Sequence, residues 1–245
     1  MLADTLTVAW KEWREFRDQL FRMKRGGLSA LIVVLMLGIF TPLQMGTTWL
    51  TSPLMLAYWP LLSSGMVSTL IADAFAGERE RHTLETLLST RLPDSAILAG
   101  KILAAVLYGV LFTFANIVVG FLTLTLSRLG EPFVGPSPSH LMYVVVLVVL
   151  ACTTLSGVGI FISLRAATVR QAQQTLGIIM MVLFIGPFLF IQFLAPDDRV
   201  SLATRFATMG TARLVGWASA ILLLASAVLV SLARARFRRG KLTLD

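Results

Sequence analysis

Apolar residues in this chain gather into six long runs, near 28–46, 54–72, 102–126, 141–163, 176–195 and 213–232, separated by polar stretches. A helix needs about 20 mostly apolar residues to cross a bilayer core, and each run has roughly that length. No acidic or basic residue lies well inside any of them. A centred charge would cost roughly 2.5–3.5 kcal/mol on insertion. The pattern predicts an all-α integral membrane protein with six transmembrane helices.

Residues 5–25, ahead of the first run, are polar but periodic. Leu6, Trp10, Trp13, Phe16 and Leu20 recur at spacings of three and four and share a face, while Lys11, Glu12, Arg14, Glu15, Arg17 and Asp18 fill the other sides. Tryptophan opposite basic residues suits a helix lying in the membrane interface, with Trp10 and Trp13 as its anchors. A soluble helix packing on something cytoplasmic is the alternative. Gly26-Gly27 predicts an elbow into the first span. The domain layout is then an interfacial helix and elbow (1–27), a six-helix membrane domain (28–232) and a basic tail (233–245). More than 20 residues of polar sequence precede the first run, which is not the layout of a cleavable signal.

Only 14% of the 245 residues are charged and 56% are hydrophobic, against about 25% charged in soluble domains; soluble classes are excluded. The net charge of +8 raises nucleic-acid binding, but its distribution has another reading. With the N-terminus inside, 17 of the 21 Lys and Arg fall on cytoplasmic segments, and Arg128, Arg199, Arg205 and Arg213 are left outside. That is the positive-inside bias, which puts both termini in the cytoplasm and removes the need for a nucleic-acid partner. The lone Cys152 lies in the fourth run, where a thiol behaves as a small hydrophobe. Cysteine-based metal clusters and intramolecular disulfides are excluded.

The runs themselves are chemically plain. Asn116 and Gln192 are the candidate path-lining residues, with helix–helix hydrogen bonding as the simpler role. Thr153, Thr154, Ser156, Gly157 and Gly159 form a small-residue face that close packing explains. His82 and His140 fall on opposite sides and cannot share a site, and the His-Glu-x-x-His spacing of zinc proteases is missing. Gly186-Pro187 is the best hinge candidate in a span.

The cytoplasmic loop 73–101 carries the strongest signal. Leu84, Leu87, Leu88 and Leu92 form a helical stripe, with Glu78, Arg79, Glu80, Arg81 and Glu85 around it. Thr83 is positioned as an N-cap, and Asp94 or Ser95 as the cap of the third membrane helix. A polar loop with an apolar stripe docks either on its own bundle or on another protein.

The N-terminal Trp10-Lys11-Glu12, the six-span topology, the Glu-Arg-Glu-x-x-Thr-Leu-Glu-x-Leu-Leu stretch from Glu78 to Leu88, and Gly100-Lys101 together resemble the ABC-2 type permease family, over essentially the whole chain. These are membrane subunits of bacterial ABC exporters. The resemblance implies that Glu78, Arg79, Glu80, Thr83, Leu84, Glu85, Leu87 and Leu88 belong to a coupling helix seated in a cytoplasmic ATPase. It also implies two ATPase copies, and a second permease copy in a homodimer or heterodimer, with the first and fifth spans near the dimer interface. Location in the bacterial cytoplasmic membrane follows as well.

The chain carries no Gly-x-x-x-x-Gly-Lys-Ser/Thr loop: around Gly100-Lys101, Ser95 stands at the first glycine and Ile102 follows the lysine. It is therefore expected not to be an enzyme, with no cofactor of its own; ATP and Mg²⁺ belong to the partner. Proton-driven transport usually needs ionisable groups in the spans, which these lack. A scaffold that recruits cytoplasmic proteins, or a secondary transporter, are the competing functions. On the coupling reading, Leu87→Asp abolishes coupled ATP hydrolysis without affecting membrane insertion; transport by that variant would refute it.

Overall fold

The computed structural model describes residues 1–21, 26–46, 48–127 and 137–237. Residues 22–25, 47 and 128–136, and the tail from 238, lie outside the described residues. Every described element is helical: α1 (Leu2–Phe21), α2 (Gly26–Leu35), a π-helical turn (Met36–Phe40), α3 (Thr41–Met45), α4 (Thr48–Thr51), α5 (Pro53–Glu80), α6 (Leu84–Leu88), α7 (Asp94–Ser127), α8 (Pro138–Ser163), α9 (Val169–Phe193), α10 (Pro196–Thr208) and α11 (Thr211–Arg236). Five of them, α5, α7, α8, α9 and α11, are long and apolar enough to cross a membrane. The first predicted span is helical too, but as a broken run whose described apolar part, Leu31–Met45, is shorter.

Two boundaries differ from the sequence expectation, and a third, the start of α7, falls at the Asp94–Ser95 position it named. Helix α5 continues through Glu80 instead of ending at 72, because Ala74, Phe75 and Ala76 are buried and keep an inward face going beyond the apolar run. Helix α7 starts at Asp94, where the Pro93 carbonyl takes the amides of Ala96 and Ile97 at 2.8 and 3.2 Å. Residues 196–208, expected as loop, are α10. Pro196 at its first turn, Asp197 and Asp198 at its positive end and Arg205 in its last turn are all helix-favouring.

The chain divides into two compact units. One comprises Met1–Val67 and Arg91–Thr153, the other Ser68–Thr90 and Thr154–Asp245. Within the first, α7 is the mast. Gly100 leaves room for α1: a Cβ there would stand 2.6 Å from Val8 Cβ and 2.9 Å from the Thr5 carbonyl. One residue on, Lys101 is 2% exposed and its Nζ lies 2.7 Å from Glu12 Oε1. Two turns further, the Tyr108 ring meets Phe16 edge-on at 4.4 Å. The side of α1 carrying Val8, Ala9 and Glu12 is thus buried. Leu6 and Trp10 stay 59% and 61% exposed on the adjacent side. Of the predicted face, Leu6 and Trp10 are open, while Trp13 and Phe16 are half-buried.

Higher on α7, Gly120 lies against the six-membered ring of Trp49, which stacks edge-on with Trp59 at 5.3 Å. The hydroxyls of Ser63 and Thr113 bond each other. Pro42 has no amide to offer the carbonyl four residues back; that carbonyl, of Gly38, lies 3.2 Å from Thr123 Oγ1, whose one hydrogen it shares with the Val119 carbonyl at 2.9 Å. This is how a membrane helix tolerates proline: a neighbouring helix pairs the group the ring leaves free.

The second unit holds the end of α5, the end of α8, and α9 to α11. Gly157 allows the backbone of Leu229 to approach, a Cβ there being 2.9 Å from Leu229 Cβ. Thr154 Oγ1 donates to the Leu222 carbonyl at 3.2 Å. Helices α9 and α11 expose Ile178, Val182, Ile185, Leu189, Trp217 and Leu224. Apolar surface on that scale requires lipid or another chain to cover it.

The Glu12–Lys101 pair gives the fold a direct test. Glu12→Ala strands a buried ammonium and should cost roughly 3 kcal/mol, because removing one partner of a buried pair leaves a charge uncompensated. Replacing both residues (Glu12→Leu with Lys101→Met) should recover much of the loss. Thermal unfolding in detergent measures both; equal melting temperatures for wild type and Glu12→Ala would refute the role.

Candidate functional site

The Glu78–Leu88 stretch does not form one helix. Helix α5 closes on a Schellman turn: the Thr83 amide reaches back to the Glu78 carbonyl at 2.8 Å and the His82 amide to the Arg79 carbonyl at 3.1 Å. The residue between, His82, takes the left-handed conformation with φ of 54°. Glycine normally fills that place because a Cβ is penalised there. Thr83 therefore ends one helix as it precedes the next. Its hydroxyl donates to the Glu78 carbonyl at 3.3 Å and does not cap α6.

The three charged residues ahead of this turn all engage their own chain, Glu78 buried, Arg79 half-buried and Glu80 from an exposed position. Glu78 is 3% exposed. Arg79 sends Nη1 to the Ala166 carbonyl at 2.7 Å and Nη2 to the Leu164 carbonyl at 3.0 Å. Glu80 Oε1 accepts from the Val169 amide at 2.9 Å. The signs are matched to the task. A helix ends with unpaired carbonyls and partial negative charge, and starts with unpaired amides and partial positive charge. Arg79 sits at the end of α8, and Glu80, next in sequence, at the start of α9. One turn of α5 thus closes both ends of the 164–168 connection.

A third group completes the junction. The fully buried Ser163 hydroxyl accepts from the Phe75 and Ala76 amides at 3.1 and 2.9 Å and donates to the Ala72 carbonyl at 2.9 Å. It straddles the Ala72–Ala76 rung of α5 near its end. Arg81 is paired with Asp73 at 3.2 Å, two turns back on the same helix.

In α6, Leu87 is 9% exposed and Leu84 half-buried, while Glu85 and Thr86 face out. Leu92 is half-buried, and the side chain of Leu88 lies outside the described residues. The stripe is therefore seated mainly on its own chain, and the free edge is polar. Leu87→Asp would put a carboxylate into a closed apolar site, so it probes stability before coupling. Of the path candidates, Asn116 is completely buried: Nδ2 donates to the Phe112 carbonyl at 2.9 Å, and Oδ1 has no hydrogen-bond partner among the described residues. Gln192 is exposed, and its carbonyl, with that of Leu194, accepts from Arg199. Among the described residues no group of His, Cys, Asp and Glu could hold a metal.

The match to known proteins runs through this site. Residues 5–195 fit the family described as ABC-2 type transporter. The chain belongs to the ABC-2 type transporter family. It is also similar to the ABC transporter permease protein NatB of Bacillus subtilis (strain 168), with 28% identity over 130 residues. That alignment covers 51% of this chain and 33% of NatB, so the chain matches about a third of the relative's length. An ABC-2 family member with five described apolar spanning helices is a multi-pass membrane protein.

Several contacts within this ABC-2 family member were not read from its sequence. Thr168-x-x-Gln171 before an apolar run is a helix-start signal. Thr168 Oγ1 does accept from the Gln171 amide at 3.1 Å, while Gln171 Oε1 takes the Ala167 amide at 3.0 Å. Nothing in the sequence marks Ser163, Asp73 or the Glu12–Lys101 pair, which depend on tertiary approach. His82→Gly should stabilise the chain by about 0.5–1 kcal/mol, the left-handed penalty less the entropy of glycine. Thermal unfolding in detergent reads the shift, and a lower melting temperature would contradict the turn.

Proposed function

We propose that this chain is the membrane-spanning permease subunit of an ATP-binding cassette exporter in the bacterial cytoplasmic membrane. It crosses six times with both termini in the cytoplasm, works with a second permease copy, and takes ATP-driven motion from two copies of a separate ATPase subunit that holds ATP and Mg²⁺. The family match over residues 5–195 supports the subunit assignment. The sixth crossing is the helical run Gly26–Met45. At about 1.5 Å per residue it rises roughly 30 Å, one bilayer core. The interfacial helix is α1, its open Leu6–Trp10 side in the headgroup region.

The observation that carries the coupling role is the polar edge of α6. Glu85 and Thr86 point outward from a short helix held in place by the turn at the end of α5 and by buried Leu87. A segment so fixed transmits a push; a loose loop would absorb it. The uncovered side of α9 is the surface that lipid and a partner copy would cover, as expected for a fifth span near a dimer axis.

Affinity purification from native membranes tests this. A P-loop ATPase should be recovered in stoichiometric amount with the wild type. Glu85→Lys should cut its recovery at least several-fold, since a wrongly signed charge at a contact is costly, with the variant still folded. Recovery of the chain alone, or with partners lacking any nucleotide-binding subunit, would favour the scaffold reading.

A further inference from the structure

The charged residues that begin the Glu78–Leu88 stretch are engaged within the chain, and the groups they engage belong to a different connection. We infer that Arg79 and Glu80 are positioning residues that lock the 164–168 turn to the end of α5, so that a displacement of the 81–90 segment carries α8 and α9 with it. The transport role of this movement rests on the permease reading above; the lock itself does not.

Three features carry the inference. The contacts are directional: Arg79 donates to the Leu164 and Ala166 carbonyls just beyond the end of α8, and Glu80 accepts from the first amide of α9. Each is charge-assisted, and the Val169 amide is one that has no partner within its own helix. The residues are consecutive, so a single turn of α5 serves both ends of the 164–168 connection. Third, Ser163 ties the end of α8 to α5 one turn earlier, through three hydrogen bonds at a fully buried position. Between Ser163 and Val169 the chain is therefore held at both ends and in the middle by a single stretch of α5, Ala72 to Glu80. A lever needs this rigidity at the point where force enters, because interfaces and packed joints switch between discrete arrangements and do not deform continuously.

The lock also divides the labour within the stretch. Recognition of a partner falls to Glu85, Thr86 and the exposed part of Leu84, and transmission to Arg79, Glu80 and Ser163.

The test compares wild type with Arg79→Ala, Glu80→Ala and Glu80→Gln in the full chain. Three measurements are made: amide hydrogen exchange across 164–169, co-purification of the ATPase, and permease-dependent hydrolysis of Mg-ATP in proteoliposomes. Loss of a charge-assisted hydrogen bond should open the turn, raising exchange about tenfold in Arg79→Ala and several-fold at Val169 in Glu80→Ala. Co-purification should stay within about twofold of wild type while hydrolysis falls about tenfold. Glu80→Gln keeps the accepting oxygen and should resemble wild type in all three. If Glu80→Ala and Glu80→Gln both lose the ATPase while exchange is unchanged, Glu80 is a partner contact and the inference is overturned. If wild type brings down no ATPase, the permease reading fails. Exchange then still decides the lock: raised in Arg79→Ala it upholds it, unchanged it overturns it.

Discussion

Backbone amides and carbonyls within a helix pair with one another, and the places where that pairing fails account for the contacts on which the structure turns. Helix ends and prolines create the exceptions, and particular side chains answer them. Thr123 shares its one hydrogen between the Val119 carbonyl and the Gly38 carbonyl that Pro42 cannot serve. Arg79 takes the carbonyls of Leu164 and Ala166 beyond the end of α8, and Glu80 the Val169 amide at the start of α9. Arg199 does the same for the carbonyls of Gln192 and Leu194 at the end of α9. Each answer joins segments distant in sequence or closes a helix onto its following turn. Backbone satisfaction is therefore also what sets the tertiary arrangement within each unit.

The two units solve their packing differently. In the first, α7 is lined with small residues where neighbours press close, at Gly100 and Gly120, and one buried ion pair fixes the register of α1. Such a pair adds little net stability over a well-packed apolar contact, but it penalises any slip that separates the charges. In the second unit the hydroxyl of Ser163 and the charges of Arg79 and Glu80 do the joining, while α9 and α11 leave broad apolar sides uncovered. The firm joint lies near the end of α5, and the open sides of α9 and α11 are apolar surface that lipid or another chain would cover.

The all-helical, multi-span character was readable in advance because it depends on run length and charge exclusion, which are one-dimensional properties. The stretch from Glu78 to Leu88 was also picked out, yet its internal structure was not. Period analysis joined residues on both sides of a Schellman turn, since His82 in a left-handed conformation leaves no mark of the kind glycine would. Arg79 and Glu80 were grouped with the coupling residues, since their partners are backbone groups more than 80 residues on, which have no side-chain signature. Leu87 was rightly grouped as apolar, but the surface it covers lies in its own chain. Helix α10 was missed although Pro196, Asp197 and Asp198 announce a helix start; the charged composition outweighed them.

The central claim is that the α5–α6 segment and the 164–168 turn form one rigid body before any partner arrives. Spin labels at Thr86→Cys and Ala167→Cys, both exposed positions, measure this in the otherwise intact chain, whose native Cys152 is buried. The account predicts a single narrow distance distribution in the chain alone, unchanged when the complex recovered from membranes is given Mg-ATP. A broad or multiple distribution in the chain alone, or a distance that shifts with nucleotide, would show that the two segments move separately and would contradict it.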